Sequence, residues 1–458
     1  MSQSDAREHA LTHVGLALPE ILLPAASVDP ARWAVIACDQ YTSQPEYWKE
    51  EAKRIGAAPS ALHLVLPEVW LGASDEAARV AEIHAHMRAY LDGGVFAPPL
   101  RGFVLVERGT PHVAARRGLI VALDLERYRY TAGARALARA TEATVEERLP
   151  PRLRVREGAL LELPHVLVLI DDPVRSVIEP LASAQRETLY DFALAHDAGR
   201  LRGGAVTAPA ELEQIARALR ALADGAARRD GLDVEGAEPF LYAVGDGNHS
   251  LAAAKLFWER RKAALTPEPR PRDPARFALV ELVNVHDAGL RFLPIHRIVF
   301  RTDPDGLLAG LPGYFARAGV AASLEPVSGD AALHARLAER RAAAPQDHFF
   351  GWVAGDRRGV LALERPRGKL AVTLIQEFLD AHVSAHPDSS LDYIHGDDVL
   401  VDLAAQPGRV GLLLPALAKA ELFPRVARDG ALPRKAFSLG EAEEKRFYFE
   451  ARRIRGDE

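Results

Sequence analysis

The stretch Phe240-Leu-Tyr-Ala-Val-Gly-Asp-Gly-Asn-His-Ser-Leu-Ala-Ala-Ala-Lys-Leu-Phe-Trp-Glu-Arg-Arg-Lys262 decides the reading of this chain. An apolar run over Phe240 to Val244 predicts a strand, and Leu251 to Lys262 predicts a helix. Between them lies Gly245-Asp246-Gly247-Asn248-His249-Ser250, a glycine turn at a strand-to-helix corner. Backbone N–H groups of such a turn converge with the first unpaired donors of the helix, and the point where they meet favours an anion. Gly245 and Gly247 permit the tight path and close approach of a ligand. Asn248 or Ser250 could cap the helix. Asp246 and His249 are not needed for capping: Asp246 could hold a metal ion or orient a hydroxyl, and His249 could donate to a phosphate oxygen or move a proton. A purely structural turn is the plain alternative, but four polar groups within five residues favour a working site. Neither common glycine signature fits. GxGxxG needs a third glycine where Ser250 stands, and the Walker pattern ends in Gly-Lys-Ser/Thr.

Working outward, the apolar run before Asp171-Asp172-Pro173, from His165 to Ile170, predicts a buried strand. Leu212, Ile215, Leu219 and Leu222 mark one face of a helix over Glu211 to Ala223, followed by a polar loop from Asp224 to Glu238. Thr266 to Pro274, with four prolines, predicts a surface excursion. Ala278 to Val285 and Phe292 to Phe300 predict two strands joined by His286 to Gly289. Upstream, Trp33 to Ala37 predicts a strand ending at Cys38-Asp39. Ser74 is the expected cap of a helix with Val80, Ile83, Met87 and Leu91 on its buried side, stopped by Gly93-Gly94. Phe103 to Glu107 and Leu119 to Leu125 read as strands. Downstream, Phe349 to Val353 and Gly359 to Leu363 should pair across Gly355-Asp356, and Leu370 to Val383 should be helical. The resulting expectation is a mixed α/β (α+β) chain in four parts: 1–130, 131–300 with the glycine turn, a small α/β unit at 301–390, and 391–458 returning to the site.

The length, 458 residues, calls for more than one core. With 57 basic and 63 acidic residues, a general nucleic-acid coat is not expected. Cys38 is the sole cysteine, which excludes an intrachain disulfide and a cysteine zinc cluster. No apolar run is long enough to span a bilayer and the first residues lack a signal-like apolar core, so a cytoplasmic home is the expectation.

Other polar clusters are candidates for the same site. Thr141-Glu142-Ala-Thr144-Val-Glu146-Glu147-Arg148 offers carboxylates at helical spacing, for which composition alone favours a solvated face. Asp39 and Glu281 stand at or near strand ends where carboxylates face clefts. His296-Arg297 begins an apolar strand, and Arg297 would suit a phosphate. Lys435 and Ser438 lie in a short basic loop that could close over phosphate. Asn248-His249 also matches the Gly-Asn-His step of metallophosphoesterases, although the Asp-x-His and Gly-Asp-x-x-Asp blocks of those enzymes are missing.

Ala34 to Trp48, the Gly-Asp-Gly-Asn-His-Ser turn, Pro294-Ile-His-Arg297 and Pro433 to Arg446 together resemble the prokaryotic domain-of-unknown-function family numbered one thousand and fifteen, over nearly the whole chain. That family resembles the ParB/sulfiredoxin-like fold, on which free serine kinases use an Asp-Gly-His-His-Arg type turn for nucleotide phosphates and a glutamate in a His-Glu step as base. The resemblance implies that Asp246, Asn248 and His249 match the turn and Glu142 the glutamate, with Thr141 where the His would be. Asn248 replaces a His, and Ser250 replaces the Arg that would touch phosphate. Lys255, Arg297 or Lys435 would then supply the missing charge. The function implied is transfer of a phosphoryl group from ATP, ADP or pyrophosphate to a small hydroxylated metabolite, free serine first, with Mg²⁺ held at Asp246. A nucleotide-sensing module without turnover and a metal-dependent phosphoesterase are the alternatives.

Overall fold

The computed structural model describes residues 3–131, 133–230, 238–366 and 368–455. The chain is a mixed α/β protein, as the sequence pattern predicts, and its contacts divide it into two compact units. The first comprises Met1–Arg291, Leu422–Ala431 and Leu439–Glu458; the second comprises Phe292–Glu421 and Leu432–Ser438.

The first unit is built on one large mixed sheet. Its strands run in the order Thr188–Ala193, Arg200–Val206, Phe103–Gly109, Arg116–Asp124, Phe277–Asn284, Leu167–Ile170, Tyr242–Asp246, Ala138–Ala140 and Tyr128–Arg129. Pairing is antiparallel from the first of these to Phe277–Asn284. Leu167–Ile170 then lies parallel to Phe277–Asn284 and antiparallel to Tyr242–Asp246, which is parallel to Ala138–Ala140. The central strands are apolar on both faces: Ile120, Val168, Val244 and Leu282 are completely buried. This is why Leu167–Ile170 reads as a continuous apolar run rather than an alternating one.

The register between Leu167–Ile170 and Tyr242–Asp246 slips once. Leu167 faces Asp246 but Val168 faces Val244, so Gly245 is the extra residue of a bulge. A bulge bends its strand and re-aims the residues beyond it. Here it directs the chain into the helix Asn248–Ala264. Gly247, with φ of 78°, makes the turn, and a Cβ there would lie 2.9 Å from Val166. The helix therefore begins three residues before the predicted Leu251. Gly247 is its N-cap, with no side-chain cap, so neither Asn248 nor Ser250 serves that purpose.

Several other expectations are corrected. Trp33 ends a short helix, Pro30–Trp33, because Asp29 caps it and Pro30 fits its first turn; only Val35–Ile36 remain as strand. The helix expected from Ser74 spans Glu76–Asp92, one position later than a Ser74 cap allows. The Glu76 carboxylate is held by Arg154 at 2.7 Å, which favours that start. The helix expected over Glu211 to Ala223 spans Pro209–Arg229 and so extends into the loop expected from Asp224. Residues 231–237 of that expected loop lie outside the described residues. Thr141 to Val145 is not helical, and only Glu146–Arg148 makes a single 3-10 turn before the helix Leu149–Arg156. The carboxylates there do not share a helix face.

The second unit carries its own antiparallel sheet, ordered Ala321–Val327, Arg357–Glu364, His348–Ala354, Arg409–Leu413, His296–Phe300 and Ser390–Ile394. The predicted hairpin forms across Gly355-Asp356, and the predicted helix is Ala371–Ala385. The expected strand from Phe292 to Phe300 is split into Phe292–Leu293 and His296–Phe300, with Pro294 at the break. His296–Phe300 joins this sheet, whereas Phe277–Asn284 belongs to the sheet of the first unit. No helix among the described residues is long and apolar enough to cross a membrane.

Candidate functional site

The turn Gly245–Ser250 is half-buried throughout. Asp246 is fixed from both sides: one carboxylate oxygen accepts from its neighbour Gly247 N–H at 3.0 Å, and the other accepts from Lys445 Nζ at 3.0 Å. Burial pushes the Asp246 carboxyl upward, but the Lys445 ammonium outweighs it and holds the group below the usual carboxylate value. By helix geometry, the N–H groups of Asn248, His249 and Ser250 have no carbonyl of their own helix to bond. Asn248 Oδ1 and Thr144 Oγ1 are buried atoms with no hydrogen-bond partner among the described residues. Buried polar atoms are rarely left this way unless a ligand or water meets them.

The strand Ala138–Ala140 brings the next segment alongside. Thr141 Oγ1 donates to Val244 O at 2.6 Å, and Val145 N–H donates to His249 Nε2 at 3.3 Å. That bond fixes His249 as the tautomer with its proton on Nδ1, a donor type that suits a phosphate oxygen. Glu142, half-buried, follows Thr141 directly. The segment carrying Glu142 and the turn carrying Asp246 and His249 are therefore neighbours in one unit, although about a hundred positions separate them in the chain.

Behind Ser250 runs a polar chain that the sequence reading missed. Ser250 Oγ lies 2.8 Å from His165 Nε2, and His165 Nδ1 lies 2.9 Å from Tyr448 OH. Tyr448 OH donates to Cys38 Sγ at 3.1 Å. Burial, reinforced by Asp39 and Glu68, pushes the Cys38 thiol well up, so it stays protonated. Glu68 accepts from Arg152 Nε at 2.8 Å, and burial raises its carboxyl too. Asp39 is half-buried, accepts from Gln40 at 2.9 Å, and belongs to this neighbourhood.

Other candidates are placed elsewhere. Glu281 is 1% exposed and ion-paired with Arg446 and Arg116, so it does not face a cleft. Arg148 is exposed. Lys255 is buried beside Glu259 in the helix interior. In the second unit, Arg297 is fully buried, donating to Gln376 Oε1 at 3.0 Å and to the carbonyls of Ile295 and Arg434, with its guanidinium over the Tyr393 ring. A guanidinium so committed is a packing element, not a phosphate ligand. His296, also buried, accepts from Leu414 N–H and reaches Asp397 at 2.8 Å. Lys435 is exposed with φ of 57°, and Ser438 is buried.

A metal role for Asp246 does not fit the donors present. Both its oxygens are engaged, one by an ammonium, and among the described residues no group of three or more His, Cys, Asp or Glu is placed to hold a metal ion.

A protein-family model described as "Protein of unknown function (DUF1015)" matches residues 22–382. No curated protein matches the chain. Among solved structures, the chain is similar to a free serine kinase in complex with AMP, at 11% identity and a TM-score of 0.37, covering 72% of this chain and 90% of that one. It is similar to a conserved hypothetical protein from Pyrococcus furiosus at 11% identity and 0.32, with 72% and 90% covered. It is also similar to SbnI with a C-terminal truncation from Staphylococcus aureus at 11% identity and 0.34, with 70% and 82% covered.

Proposed function

The chain belongs to the DUF1015 family, and from that premise we propose that it is a phosphotransferase moving a phosphoryl group from a nucleotide to a small hydroxylated metabolite. The observation that carries this reading is the bulged turn at Gly245–Gly247, which opens into a helix start with no side-chain cap, beside a lysine-bound carboxylate. Such a start presents backbone N–H groups to an anion and suits a phosphate. His249, from Nδ1–H, and Lys445 would steady charge on the transferring group, and Asp246 positions Lys445. Gly245, Gly247, Asn248 and Ser250 form the phosphate cradle.

In the reaction, the acceptor oxygen bonds to the terminal phosphorus as the P–O bond to the nucleotide breaks. The hydroxyl proton passes to Glu142, and the departing nucleotide keeps the electron pair. ATP, ADP and pyrophosphate are the donors to compare. Mg²⁺ enters this reading only as a companion of the donor's phosphates, and no step depends on a protein-held ion.

The test is transfer from labelled donor to a panel of hydroxylated metabolites headed by free serine. A labelled product is expected, and Glu142→Gln and His249→Ala should each lower its rate about a hundredfold. Full activity in both variants would refute the site. Saturable nucleotide binding with no product from any acceptor would favour a nucleotide-sensing module instead.

A further inference from the structure

Behind the turn, the first unit holds a cavity of about 140 Å³. Leu64, Leu66, Met87, Leu161, Leu163 and Ala253 form its apolar side, and Glu68, Arg152, Arg156 and Glu162 also line it. Its polar end is the chain from Ser250 through His165 and Tyr448 to Cys38. The order of donors along that chain can be deduced. Tyr448 gives its one proton to Cys38 Sγ, so His165 Nδ1–H donates to Tyr448, and His165 Nε2 accepts from Ser250 O–H. Ser250 Oγ is then left with acceptor lone pairs for an incoming hydroxyl.

The formal charges of the lining carboxylates and guanidiniums come in pairs. Glu68 is matched by Arg152 at 2.8 Å, and Glu162 by Arg156 at 2.5 Å and by Arg452 at 2.6 Å. A charged ligand would have to break one of these pairs and leave its partner buried without compensation, which is strongly unfavourable. An uncharged ligand disturbs none of them. The size of the space also limits the ligand: a volume of about 150 Å³ holds roughly one benzene-sized ring.

From this geometry we infer that the cavity binds an uncharged alcohol with one ring-sized apolar group rather than a free amino acid. Its hydroxyl donates to Ser250 Oγ and its apolar group lies against Met87, Leu161 and Ala253. This chemistry rests on the cavity alone and does not depend on the phosphotransfer reading.

Calorimetric titration of the full chain tests it, with 2-phenylethanol and L-serine as ligands and a non-hydrolysable ATP analogue titrated separately. Saturable binding of 2-phenylethanol and none of serine is expected. Ala253→Leu, which fills the cavity, should weaken 2-phenylethanol by about tenfold or more and leave the ATP analogue unaffected. Ala159→Leu, at another residue of the lining, serves the same purpose should Ala253→Leu fail to fold. Serine binding in place of 2-phenylethanol, or 2-phenylethanol binding unchanged in a folded filled variant, overturns the inference. Nucleotide binding with no 2-phenylethanol binding also overturns it and leaves the phosphotransfer reading standing. Binding of 2-phenylethanol as expected, with no nucleotide binding, supports the cavity's chemistry and defeats the phosphotransfer reading.

Discussion

Lys445 and Arg446 are consecutive, yet they serve two different electrostatic environments. Lys445 reaches the half-buried Asp246 at the glycine turn, and the pair keeps some contact with solvent. Arg446 turns the other way into a sealed network. It is ion-paired with Glu281 and Glu450, which are 1% and 0% exposed, and its Nε donates to Pro164 O at 2.7 Å. Tyr190 OH donates to Glu450, and Arg116 lies 3.6 Å from Glu281 on its far side. Burial would raise the Glu281 carboxyl, but Arg116 and Arg446 hold it below its ordinary value. The two sites share one chemistry, a cation bridging to a carboxylate, but differ in water access. Without water every partner is obligatory, so the Arg446 network fixes the sheet. With partial access a partner can be exchanged for a ligand, so the Lys445 pair can work.

The largest expected effect therefore comes from Arg446. Replacing it in Arg446→Leu leaves Glu281 and Glu450 buried without their main partner. Loss of stability of about 3–5 kcal/mol is expected by urea denaturation. A loss under about 1 kcal/mol, the range of a surface pair, would erase the proposed contrast.

Lys445→Met sharpens the same comparison from the other side. Its stability should change by about 1 kcal/mol or less, while nucleotide affinity falls about tenfold through loss of one charged hydrogen bond. A variant that binds nucleotide like the parent would remove Lys445 from the site. The pH dependence has a definite sign. Asp246 titrates below its ordinary value when folded, so its contribution to stability is present above the unfolded value of about 3.9. It is lost as pH falls through the folded value. The parent chain should lose more stability than Lys445→Met between about pH 4 and the acid limit, measured by thermal unfolding.

The part of this design legible in the sequence is the part written locally. The strand, turn and helix at Gly245 could be read because apolar run, glycines and amphipathic helix lie within one short segment. Its start was misplaced because Asn248 resembles a cap, whereas the bulge at Gly245 moves the cap to Gly247. The segments carrying Glu142 and His249 became neighbours through parallel strand pairing, which no local periodicity reports. Lys445 and Tyr448 were harder still. They contact residues some 200 to 400 positions away; the only signal for Lys445 was membership of the conspicuous string ending at Arg446, and Tyr448 lies just beyond that string. Arg297 misled for the opposite reason: an arginine in an apolar strand looks available until its three partners are known.

The smallest expected effect concerns Cys38, which lies at the closed end of the chain from Ser250. Its thiol is held protonated by burial and by the nearby Asp39 and Glu68 carboxylates, against the Tyr448 hydrogen bond. A thiol is reactive only as thiolate. In the native protein, labelling by a thiol reagent at pH 8 should be slower than in the urea-unfolded chain by at least about tenfold, since an unperturbed thiol ionises near 8.5. The linkage sign follows: the raised folded value contributes stability below about pH 8.5 and loses it above, as the unfolded thiol ionises. Tyr448→Phe removes one hydrogen bond to Cys38 without adding charge, so labelling should stay slow. Fast labelling in that variant would mean that Tyr448, rather than burial, shields the thiol. The region behind Ser250 would then be more open than the sealed network of Arg446, two residues before Tyr448 in the chain.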